Sequence, residues 1–132
     1  MQRLSKWSPL VLSLLRIMTG LLYMVHGSMK LFHYPPGGPS MPASMQTLML
    51  VAGVLELVGG FLVAIGLFTR PVAFLLSGMM AVAYFMAHAS RGFWPALNGG
   101  DAAILYCFIF LYLVFAGPGS IAADNMMRRR RS

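Results

Sequence analysis

The chain has 132 residues, of which 58% are hydrophobic and 10% charged, and its mean hydropathy is +0.74. That composition accommodates one domain of four membrane spans with short connections and excludes a separate soluble catalytic domain. The net charge of +7 is gathered mainly in Arg3, Lys6, Arg70, Arg128, Arg129, Arg130 and Arg131, a pattern of membrane topology and lipid headgroup contact and not of nucleic-acid binding.

The first apolar stretch covers residues 9–32 behind Arg3 and Lys6. It is too long for a signal peptide, whose apolar core ends after roughly 7–15 residues, and no A-x-A-like cleavage site closes it. Arg16, Gly20, Tyr23, Gly27 and Lys30 recur on one helical stripe, with His26 at its edge, so the span carries a polar, small-residue face. HYPPGGPSMP follows, with four prolines and two glycines that forbid a regular helix and mark a loop.

The second span is expected over residues 47–68, and its run LMLVAGVLELVGGFLVAIGLF holds a single carboxylate, Glu56, near the middle. A bare charge at that depth costs about 3 kcal/mol or more, so the carboxyl group must be protonated, paired or turned inward. Ala52, Glu56, Gly60 and Ala64 share a face at four-residue spacing, which places the carboxylate among small residues that let another helix approach. Thr69, Arg70 and Pro71 read as a tight turn into a third span over residues 71–90, with Ser77, Ala81, Tyr84 and His88 on one face and Arg91 just beyond.

RGFWPALNGGD then forms a second long loop, in which Phe93 and Trp94 suit the membrane interface and Asp101 is placed to cap the next helix. The fourth span is expected over residues 101–117, short for a crossing and closed by Gly117, Pro118 and Gly119. The one cysteine, Cys107, lies in this span and excludes an internal disulfide or a CxxC dithiol. Seven Lys and Arg residues on one side against two, Lys30 and Arg91, on the other predict an all-α, integral membrane four-helix bundle with both termini cytoplasmic. A weak internal repeat relates the first and third spans: His26 and His88 each lie 17 residues after a proline, Pro9 and Pro71, which predicts similar depths for the two rings.

Through LLRIMTGLLYMVHGSMKLF, GVLELVGGFLVAIGLFTRP, AYFMAHASRGFWPALNGGDAAILY and the closing AGPG, nearly the whole chain resembles the DoxX family of small bacterial membrane proteins. The resemblance implies a single four-helix domain of the bacterial inner membrane, crossing it several times. It also implies relatives that include a subunit of an archaeal thiosulfate:quinone oxidoreductase and proteins linked to thiol and oxidative stress. The family has no widely shared reaction, so the resemblance assigns no catalytic residue; His26, Gly27, Ser28, Met29, Lys30, Glu56 and residues 91–101 are the positions that match its typical pattern.

Three readings of the polar groups differ in their chemistry. In the plainest they specify packing: Glu56 pairs with His26 or Arg16, while Lys30 and Arg91 extend outward to the membrane surface. In the second, His26, Lys30, Glu56, Tyr84, His88 and Arg91 line a site for a quinone or another small hydrophobic ligand, which needs an apolar slot with groups that bind carbonyl oxygens and move protons. In the third, His26 and His88 are axial haem ligands, but lone histidine pairs are common, so neither haem nor another metal is expected. We therefore expect a membrane component of a quinone- or thiol-linked redox system, set in the lipid bilayer with a redox enzyme or a second copy as partner, and not a complete enzyme. The alternative is a scaffold that docks a partner through the outer loop at Trp94, Asn98 and Asp101.

Overall fold

The computed structural model describes residues 2–38, 40 and 42–130. Pro39 of the proline-rich loop, Arg131 of the basic tail and the side chain of Arg3 lie outside that description. Among the described residues every regular element is helical: α1 (Gln2–Ser5), α2 (Ser8–Phe32), α3 (Gln46–Ile65), α4 (Thr69–Ala87), α5 (Pro95–Asn98), α6 (Asp101–Ala116) and α7 (Ala123–Arg129), with single 3-10 turns at Ala43–Met45 and Ala89–Arg91.

The helix limits follow from local chemistry. Pro9 sits in the first turn of α2, where its missing N–H has no intrahelical partner to lose. α3 stops at Ile65 because Gly66 takes a left-handed conformation (φ 72°) and its N–H returns to the carbonyls of Leu62 and Val63. The turn expected at Thr69, Arg70 and Pro71 lies earlier, at residues 66–68, and all three residues are already helical. Pro71 falls within the first turn of α4, where its missing N–H costs the helix nothing.

Three segments, Ser8–Phe32, Ala43–Ile65 and Thr69–Arg91, are long and apolar enough to cross a membrane, and α6 is a shorter apolar helix of 16 residues. The distribution of side chains is inverted relative to a protein in water. Arg16, Glu56, Ser13, Thr19 and Ser77 are buried, while Leu14, Met18, Val58, Phe61, Phe74 and Phe85 stand exposed along the same helices. Exposed apolar surface of this extent marks contact with lipid.

The chain divides into two compact units, Met1–Phe68 with Pro118–Ser132, and Thr69–Gly117. In the first, α2 packs on α3 with backbone almost touching backbone: a Cβ added at Gly20 would come within 2.6 Å of the Gly60 carbonyl oxygen, and one at Gly27 within 2.6 Å of the Leu57 nitrogen. Close approach through small residues is how helices associate where lipid removes the hydrophobic drive. In the second unit α4 packs on α6, and the Ser77 hydroxyl donates to the Cys107 carbonyl at 2.8 Å.

Candidate functional site

Gly27 and Gly53 make the site possible. A Cβ at Gly53 would stand 2.9 Å from Leu31 Cγ and 3.1 Å from Lys30 Cβ, so only a glycine lets the last turn of α2 settle there. Gly53 lies one turn before Glu56, and the Lys30 ammonium consequently reaches Glu56 Oε1 in a salt bridge. The Glu56 side chain is 2% exposed and that of Lys30 18%; Glu56 Oε2 has no hydrogen-bond partner among the described residues.

This corrects the expected pairing. Glu56 bonds neither His26 nor Arg16, and Lys30 turns inward instead of reaching for the membrane surface. Arg16 is taken by backbone: it donates to the carbonyl oxygens of Val63 and Ala64 at the end of α3, and to those of Pro118 and Ile121 after α6. Four carbonyl oxygens around one guanidinium fork accept its hydrogens, and the Asp124 carboxylate adds a favourable charge nearby. Asp124 completes the same junction, accepting from the Phe68 N–H at 2.7 Å while its own N–H donates to the Gly66 carbonyl at 2.9 Å.

Since Gly53 lies beside Lys30 and Leu31, the first six or seven residues of α3 extend roughly 10 Å past the end of α2. His33, in the left-handed conformation (φ 55°), ends α2, and Pro36, Gly37, Gly38 and Ser40 after it border the step between the two helices. At this step opens a cavity of about 560 Å³ lined by Met29, Lys30, Leu31, His33, Gln46 and Met49, among others. That volume falls in the range of roughly 300–1,000 Å³ that holds small organic ligands. The site therefore combines an apolar and methionine-rich wall, one ammonium with hydrogens to donate, and a buried carboxylate behind it.

The remaining expected site residues are not among those lining this cavity. His26 lies exposed on α2. In the other unit, Tyr84 and His88 meet Asn98: Asn98 Nδ2 donates to Tyr84 Oη at 3.2 Å and to the Gly92 carbonyl at 2.9 Å, and His88 Nδ1 lies 3.1 Å from the Asn98 carbonyl oxygen. Arg91, Trp94 and Asp101 are exposed, whereas Asn98 is 2% exposed and spent on internal bonds. Asp101 does not cap α6; Gly100 holds the cap position, and its N–H is met by Asn98 Oδ1 at 2.8 Å. No group of three or more His, Cys, Asp or Glu residues suited to a metal ion occurs among the described residues.

A family model described as DoxX matches residues 11–89, which include Lys30, Glu56 and the whole of α3. The chain is 45% identical over 131 residues to an uncharacterized protein of Haemophilus influenzae, covering 95% of this chain and 96% of that one. A second uncharacterized protein of the same organism is 30% identical over 74 residues, 56% of this chain and 49% of its own length. No solved structure matches the chain.

Proposed function

The chain belongs to the DoxX family of membrane proteins, and from that premise we propose that it is a multi-pass component of the bacterial inner membrane that holds a quinone-type ligand for a redox partner. The observation that carries this reading is the Lys30–Glu56 ion pair at the wall of the α2–α3 cavity. A buried ion pair is a poor source of stability compared with apolar packing. Its persistence in an apolar helix pair therefore points to use, as intramembrane ionisable groups generally do.

Lys30 spends one of its hydrogens on Glu56 and keeps donors for the cavity, where a carbonyl oxygen of a quinone would accept one. When such a ligand is reduced it takes up protons as well as electrons; the ammonium is placed to give one, and Glu56 holds the ammonium in position. Electrons would come from the partner, since the single cysteine, Cys107, cannot form a dithiol within the sequence. Met29, Met49 and Leu31 offer a deformable apolar wall for the ring and its tail.

Extraction of the purified protein followed by mass spectrometry tests this. Quinone should accompany the wild type and fall at least tenfold in both Lys30→Met, which removes the donor, and Met49→Trp, which fills the cavity and leaves the ion pair intact. Absence of quinone from the wild type, or equal amounts in folded wild type and Met49→Trp, would overturn the reading.

A further inference from the structure

The segment between α4 and α6 is built inside out for a loop in water. The Asn98 side chain is buried and its amide joins Gly92, Gly100 and Tyr84 through hydrogen bonds, with His88 Nδ1 on the Asn98 backbone carbonyl, while Phe93, Trp94 and Leu97 are 83%, 65% and 84% exposed. Phe93 and Trp94 pack edge to face with centroids 5.2 Å apart, so the apolar knob is preformed. A loop meant for water would bury the three large apolar residues and expose the amide.

Length explains where such a loop belongs. Arg70 donates to the carbonyls of Val114 and Phe115, which aligns α4 and α6 at one end. At the other end Gly100 is pressed against Tyr84, so α6 starts about one turn below the end of α4. With 16 residues α6 covers roughly 24 Å, less than the ~30 Å of hydrocarbon, and the loop is drawn down toward the membrane. Asp101, exposed at the first turn of α6, fixes the depth, because its carboxylate must stay with headgroups and water. That depth would set residues 92–98 in the headgroup layer. Phe85 and Met86 of α4 and Leu105 and Phe108 of α6 are exposed as well, and exposed Arg91 can meet lipid phosphate.

We propose that Phe93, Trp94 and Leu97 form an interfacial anchor whose partner is the phospholipid headgroup and glycerol layer, with Asn98 as the internal brace that holds the three side chains outward. Trp and Tyr favour that layer because one end of the ring is apolar and the other polar.

The chain has two tryptophans, and Trp7→Phe leaves Trp94 as the single reporter. The full-length variant is reconstituted in phosphatidylcholine vesicles whose acyl chains are brominated near the glycerol end or near the methyl end, and its fluorescence is measured with and without aqueous iodide. Trp94 should emit to the blue of free tryptophan, lose most of its intensity to the shallow bromines, and lose less to the deep bromines and to iodide. If Trp7→Phe does not accumulate, the difference between wild type and Trp94→Phe reads the same signal. Quenching by iodide at the rate of free tryptophan with no response to bromolipid would overturn the anchor in favour of a water-facing docking loop. Stronger quenching by the deep bromines, or none by any quencher, would overturn it in favour of burial in the hydrocarbon or under a protein.

Discussion

At the scale of single residues the chemistry turns on one carboxylate and its partner. Removing Lys30 leaves Glu56 buried with neither oxygen paired, whereas removing Glu56 leaves an ammonium that can still reach polar groups in the cavity. Lys30→Met should therefore lower thermal stability in detergent more than Glu56→Gln. The double variant should recover part of the loss, with a coupling of about 1–3 kcal/mol from the thermodynamic cycle. Strictly additive losses would show that the two groups do not depend on each other. Glu56 was legible in the sequence as the lone carboxylate of an apolar run, but its partner was not. Lys30 sits near the end of its span, where lysine ordinarily extends to the membrane surface, and only the contact of Gly53 with the Lys30 and Leu31 side chains turns it inward. A closer reading of the Gly27 and Gly53 positions as a crossing point would have paired the two.

Among the elements, the α2–α3 pair depends on glycine. At Gly60 an added side chain would begin 2.8 Å from Met24 Cγ and 2.9 Å from the Gly20 carbonyl oxygen, and the backbone atom cannot swing aside. Gly60→Leu should accordingly reduce the folded, monodisperse yield severely, while Phe61→Leu, at a half-exposed neighbouring position, should leave it near wild type. Equal yields would mean that α2 and α3 are not in close contact at this face. The small-residue spacing of the second span made this face visible in the sequence. The course of the chain after α6 was not visible, because Arg16 binds carbonyls about 100 residues away and backbone acceptors leave no mark on composition. The Arg16 side chain reads equally well as half of an ion pair, and α7 is too short and too basic to stand out by periodicity.

For the whole molecule, buried polar and charged groups under an apolar exterior point to lipid as the solvent, and the proposed function places its ligand in the cavity beside Lys30. Three membrane-length helices and the DoxX character were readable from hydropathy and motif order; the cavity was not, since it arises from the unequal reach of α2 and α3 and from a connecting segment whose path no periodicity encodes. The central claim is that a quinone-type ligand occupies this particular step between the two helices. Photolabelling in native membranes with an azido-quinone, followed by digestion and mass mapping, tests it most directly. Adducts should concentrate on Met29, Lys30, Met49 and Leu50 and be competed away by unmodified quinone. Labelling that spreads over α4 and α6, or that excess quinone does not reduce, would contradict the account.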